Sequence, residues 1–347
     1  MWAYPMSGVR IMGENSKLKE LLNKSRFNEA TSLLKSHLAK AEIIDPSNAG
    51  SWASYADQIS FKILSDKGQD DFNVFWEGIL KFFEEDLELA WGHLHKGHIL
   101  FRLGSAKLVD DVASAKTYLE KALDEDRLLE KIRAGGKIID IEKAISKYSS
   151  YDMLCIIERI EDEHFESNTE KQKFFQELVS PSFNAAIIGQ KINPELVQES
   201  ISHIIPQLAL EQTLEVRREL DIVCTQRLQI ATVSLAGAFL ENILLGILYH
   251  QLNLRTVQGK DILEVELGPL LKEAIKRSVF PSDSIKATCR IIHIFRNRLH
   301  PGNDLRQKYK LTSRVVATLK ILLDRALVEW ARQISDRKTA QASSNNG

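Results

Sequence analysis

The sequence has little of what marks the more specialised protein classes. Three cysteines, Cys155, Cys224 and Cys289, stand far apart among 347 residues. None belongs to a Cys-x-x-Cys pair, so they outline neither a disulfide framework nor a thiolate metal site. A reducing compartment, the cytoplasm, is the expectation. Eight prolines and 17 glycines leave long stretches unbroken. No run of alternating β-branched residues between turn signals marks a strand. Charge of one sign is lacking too: 46 Lys and Arg against 47 Asp and Glu give a net charge of -1. Nothing global drives the chain onto nucleic acid or an anionic membrane. Met1 to Gly13 lacks the basic segment and apolar core of a secretory signal.

One apolar stretch approaches the length of a membrane span, Ile230 to Tyr249, but Thr232, Ser234, Glu241 and Asn242 interrupt it. A carboxylate at mid-span costs about 2.5 to 3.5 kcal/mol on insertion scales. The stretch is read as a core helix with no membrane partner, a span being the alternative.

What the chain does have is helical periodicity. Apolar residues recur at three- and four-residue spacing almost throughout, and the expected class is all-α. Phe27, Ala30, Leu34, Leu38 and Ile43 form one such line, ended near Asp45-Pro46. Trp52, Tyr55 and Ala56 open the next. Further on, Trp91, Leu94, Gly97 and Ile99 are followed by Ala115, Leu119 and Ala122. Aromatics early in one helix, with small residues where two helices cross, let backbones approach and fill the space between hairpins. This pattern resembles the tetratricopeptide family and implies helical hairpins that bind a protein partner. Asp126-Arg127 stands where that family usually has a proline.

Arg133-Ala-Gly-Gly136 breaks the pattern, since adjacent glycines destabilise a helix interior. Asn193 as cap and Pro194 at the first helical position restart it. A helical pattern from Pro206 to Asn253 reads as one long helix or two, followed by Leu267 to Val279. Phe280-Pro281-Ser282-Asp283 is a stop and restart, and the last helix spans about Ser313 to Ile334. The expected organisation is helical repeats over 14–134, a helical connecting region over 135–205, a helical bundle over 206–335 and a polar, disordered tail over 336–347.

The chemistry-bearing residues lie on the helix expected from Ser284 to His300. Ile285, Thr288, Ile292, Phe295 and Leu299 form its core stripe. Beside them run Cys289, His293, Arg296 and His300, which share one face of roughly 60° at about 100° per residue. Asn297 borders that face. Imidazoles can move a proton near neutral pH, and a guanidinium can hold charge developing on phosphate oxygens. Such a set suits metal-independent cleavage of RNA. No acidic cluster holds a divalent cation, and no metal or cofactor is expected.

Phe295-Arg-Asn-Arg-Leu-His-Pro-Gly302, preceded by the apolar Leu235-Ala-Gly-Ala-Phe-Leu-Glu-Asn-Ile-Leu244, resembles the HEPN superfamily of helical bundles. The resemblance covers roughly 225–335. It implies Arg296, Asn297 and His300 as motif residues, Glu241 as their acidic partner, a homodimer, and for many members ribonuclease activity in bacterial toxin or defence systems. Only Asn297, Arg298 and Leu299 separate Arg296 from His300, a shorter gap than the nuclease motif has.

Plainer readings stand beside these. Arg296 and Glu241 can be an ion pair joining two core helices, whose loss would cost about 3 to 5 kcal/mol if fully buried. His300 can serve the last carbonyls of its helix, and His293 can simply flank the core. His93, His95 and His98 do not share one helical face and read as structural rather than zinc-binding. Lys131, Arg133 and Lys137 are diluted by Glu130 and Asp140, as on a solvated surface. Two functions follow. One is an interaction protein whose repeats bind a partner and whose bundle docks or dimerises. The other is a metal-independent endoribonuclease with an RNA substrate.

Overall fold

The computed structural model describes residues 12–44, 49–86, 90–108, 111–146, 148–161, 163, 165, 167–178, 192–299 and 307–345; side chains at some further positions, chiefly 37–54, 83–95 and 337–345, lie outside that description. The protein is all-α and 80% helical. Its contacts divide it into two units, Met1–Ser150 and Tyr151–Gly347. The segment 135–205 is shared between them.

The first unit holds α1 (Met12–Asn23), α2 (Phe27–Ile44), α3 (Ala49–Lys67), α4 (Gln69–Asp86), α5 (Ala90–Lys107), α6 (Val112–Arg133) and the short α7 (Ile141–Ile145). Phe27, Ala30 and Leu34 of α2 are buried as their periodicity predicts, with Ala56 and Ile59 of α3, Trp76 and Ile79 of α4, and Ile99 and Leu103 of α5. Small residues set the α5–α6 crossing. A Cβ on Gly104 would stand 2.7 Å from Leu119 Cγ, and one on Gly97 3.2 Å from Asp126 Oδ1. The two helices therefore run antiparallel at backbone-limited distance. Asp111 caps α6 by accepting from the Ser114 amide. After Arg133 the chain leaves the helix through Gly135 (φ 58°) and Gly136 (φ 77°), the left-handed backbone glycine tolerates.

The division between the units falls in the first turn of α8 (Ser149–Glu161). The second unit continues with α9 (Asn168–Leu178), α10 (Pro194–Ile204), α11 (Gln207–Thr225) and α12 (Gln229–Leu245). The Asn193 side chain accepts from the Glu195 amide at the start of α10. The long apolar pattern resolves into two helices, separated where Arg227 takes φ 60°. Beyond Leu245, α12 widens into a π-helical turn, Gly246–Gln251. There the Gln251 side-chain amide donates to the Ile204 carbonyl at 2.8 Å. Next come a two-residue hairpin of β1 (Thr256–Val257) and β2 (Lys260–Asp261), then α13 (Leu267–Lys276), α14 (Asp283–Asn297) and α15 (Ser313–Asn345).

α12 packs against α11, α13, α14 and α15, which makes it the central helix of the unit. The helical run Gln229–Gln251 is long and apolar enough to cross a membrane, at mean hydropathy 1.8, and 56% of that window is buried inside the protein. On α11, Arg217 ion-pairs with Asp324 of α15, and Lys320 reaches Asp221 at 2.9 Å and Asp324 at 2.8 Å.

Three elements differ from expectation. α14 ends at Asn297 rather than His300, its closing turn made by the Arg298 amide on the Ile294 and Phe295 carbonyls. A proline at 301 disfavours helical backbone at the residue before it. α15 runs on past Ile334 to Asn345, through a stretch with no proline or glycine and with the helix-favouring Ala340 and Ala342. The β1–β2 hairpin turns through Gln258 (φ 53°) and Gly259 (φ 80°). Two residues per strand are too few to leave an alternating pattern.

Candidate functional site

The site begins with the way α14 is held. The Ser282 hydroxyl caps it, accepting from the Ile285 amide. Ile285, Thr288, Ile292 and Phe295 are buried, as the core stripe requires, and Leu299 is half-buried. Cys289 is buried as well, and burial pushes its thiol pKa up. With that face inward, His293 and Arg296 lie half-buried at its margin and Asn297 is exposed.

Arg296 reaches across to α12. Its Nη2 lies 3.2 Å from Glu241 Oε2. On the way its side chain passes over Gly237, one turn before Glu241. A Cβ there would stand 2.4 Å from Arg296 Cδ and 3.0 Å from Cγ. The glycine forms a saddle, and no other residue leaves room for the arginine to lie against the helix backbone. Burial raises the Glu241 pKa, the Arg296 charge opposes that rise, and Glu266 adds to it. The net direction is upward, so removal from water outweighs the pair.

His293 is held between α14 and the start of α13. Its Nε2 lies 2.9 Å from Asn297 Nδ2. A Cβ on Gly268 would come within 2.9 Å of the same nitrogen. The Asn297 amide donates, so His293 Nε2 accepts and the neutral ring carries its proton on Nδ1. Burial lowers the His293 pKa, and the charges of Arg296, Arg290 and Lys272 lower it further. The ring is therefore uncharged at neutral pH.

Of the five residues singled out from the sequence, four converge: Glu241, His293, Arg296 and Asn297. The fifth, His300, lies outside the described residues. The converging groups already have partners, Arg296 in Glu241 and His293 Nε2 in Asn297. A neutral imidazole next to a guanidinium is a competent proton acceptor, but here its acceptor nitrogen is occupied.

The side chains of His93 and His95 lie outside the described residues. His98 Nε2 sits 3.3 Å from Asp57 Oδ1, and Arg102 Nε donates to the same oxygen at 2.8 Å. Burial would raise the Asp57 pKa, but Arg102 and His98 hold it down to about 2. Among the described residues no group of three or more His, Cys, Asp or Glu is placed to hold a metal ion. Arg133 of the short basic run pairs with Glu130 at 3.3 Å.

Sequence reasoning missed several polar groups deeper in the unit. Arg290 lies over the rings of Phe165 and Phe174 and ion-pairs with Glu170. Glu158 accepts from the backbone amides of Lys308 and Tyr309, at 2.8 and 3.0 Å. Arg217 lies between the buried Thr213 and Leu220 at helical spacing, and a charge on an apolar stripe was the signal available for it. The chain matches no protein-family model, no curated protein and no solved structure.

Proposed function

We propose that this chain is a cytoplasmic helical interaction protein. Its first unit binds a protein partner through tetratricopeptide-like hairpins. Its second, HEPN-like unit docks or dimerises, in the setting of a bacterial defence or toxin system. The observation that carries this reading is the engagement of Arg296: saddled on Gly237 and paired with Glu241, it ties α14 to α12 and is not held out toward a substrate. Exposed apolar side chains support it. Leu128, Ile132 and Ile138 stand out on the first unit, and Ile222, Leu228 and Ile230 near the α11–α12 turn of the second. Contiguous exposed apolar surface of more than a few hundred Å² marks interaction sites.

Sedimentation of the full chain over a range of concentrations tests the reading, beside a variant with Ile222, Leu228 and Ile230 changed to serine. A dimer that the triple variant weakens is the expected result. Cleavage of RNA in EDTA by the wild type, lost in both Arg296→Ala and His300→Ala at unchanged melting temperature, overturns it.

That outcome would favour the second reading, a metal-independent endoribonuclease with Arg296, Asn297 and His300 as its motif and His293 and Glu241 beside them. One observation supports it. Lys272, Lys276 and Lys286 on α13 and α14 have no acidic partner among the described residues, and the Lys272 charge is felt at His293. An unneutralised cationic rim of this sort draws polyanions.

A further inference from the structure

The last turn but one of α6 carries two acids on one face, Asp126 and Glu130, and both grip the chain at the end of the first unit. The Tyr148 hydroxyl donates to Glu130, and the Ser150 hydroxyl donates to Asp126 Oδ2 at 3.0 Å. The two acids differ in one respect. Glu130 is also paired with Arg133, at 3.3 Å. Asp126 is buried, and among the described residues no cation lies within ion-pair distance of it. Its other oxygen faces Gly97 of α5, where a Cβ would stand 3.2 Å away. A buried carboxylate without a counter-charge is costly, and the neutral acid is the form such a site favours.

We propose that Asp126 is a proton-operated latch: carrying its proton it holds Ser150 and the start of α8 on α6, and on losing it the carboxylate leaves this buried position and residues 148–150 come away. The surrounding groups divide: Glu125 and Glu130, on the same helix, disfavour the carboxylate, while the hydrogen bond from Ser150 and the charge of Arg133 favour it. From α5, Lys96 is taken up by Glu125 at 3.2 Å, and His98 faces Asp57 instead. From α7, Glu142 is turned to Arg127 at 3.1 Å. Burial is the largest influence and lifts the Asp126 pKa to about 7. A group raised in the folded state stabilises below its unfolded value and loses that contribution as pH climbs to its folded value. The latch is thus closed in mild acid and weakens as pH approaches neutrality.

Hydrogen exchange on the full chain, corrected for intrinsic rates, tests this at the amides of residues 148–152. The opening constant should rise roughly tenfold from pH 5.5 to pH 7.0 and then level off, as linkage to one such carboxyl requires. In Asp126→Asn, which keeps the shape without the charge, the rise should vanish. Ser150→Ala, a milder change that removes a bond favouring the carboxylate, should already show faster opening at pH 5.5 and a climb that continues past pH 7.0. A flat wild-type profile, or an equal climb in Asp126→Asn, overturns the proposal. Should that variant fail to fold, an unchanged profile in Ser150→Ala overturns it.

Discussion

Two arginines of the second unit each cross from one helix to an acid on another, and they do so at different depths. Arg217 and Asp324 are 7% and 6% exposed, while Arg296 and Glu241 are 32% and 26% exposed. The deeper pair is closed: Asp221 and Lys320 complete it, and each charge faces its opposite. The shallower pair is single and open on one side, and its arginine lies on a glycine rather than among other charges. A closed network serves packing alone. An open pair serves packing too, yet stays partly solvated, so less of the fold depends on it.

The contrast can be broken most forcefully at its deep end. Arg217→Ala leaves Asp324 buried without its main partner, and unfolding in urea should show a loss of about 3 to 5 kcal/mol. A smaller loss would mean that Lys320 alone neutralises the acid. Gly237→Ala comes next. Its added methyl collides with Arg296 Cδ, and forced overpacking of this kind costs about 1 to 3 kcal/mol. In an Arg296→Ala background the same change should cost almost nothing. That non-additivity, read from a double-mutant cycle, isolates the saddle. Arg296→Ala alone should cost only about 1 kcal/mol, because the pair is partly solvated. This replaces the larger figure that full burial would give.

The smallest effect is a pH dependence. The Glu241 pKa is raised, chiefly by burial, so its contribution to stability is present below the ordinary carboxylate value and fades as pH rises through the raised one. Melting temperature followed upward from pH 4 should therefore decline slightly, and Glu241→Gln should remove that decline. A rise instead would show that Arg296 outweighs burial, making the shallow pair resemble the deep one.

Most of the helices were legible because their cause is local. Periodic burial, the Asn193 cap with Pro194, and the Ser282 restart are written within a few residues of where they act. The candidate site was half legible for the same reason. His293, Arg296 and Asn297 share a helix, so spacing alone places them, and Glu241 came from resemblance. Gly237 and Gly268 are not legible along the chain. Their meaning lies in what crosses them from another helix, and no spacing along the chain reports that. The Asp126–Ser150 bond and the Arg217–Asp324 pair were hidden likewise, since each joins residues that only packing brings together. α14 ends short of what its apolar spacing suggests, and α15 runs longer than its polarity suggests because helix propensity sets its far end.

The widened turn at Gly246–Gln251 bears on how chain length could drift in descent. A π-helical turn holds one residue more than the α-helix it interrupts. On one side of it α12 is pinned by Arg296 across Gly237. On the other, the Leu254 amide closes onto the Leu248 carbonyl at 2.9 Å. A lineage that lost one residue here could revert the turn to ordinary helix and keep both anchors, whereas the same deletion between Gly237 and Glu241 would rotate Glu241 away from its arginine. Gly246–Gln251 is thus where this unit can gain or lose a residue without disturbing the pair that ties α12 to α14.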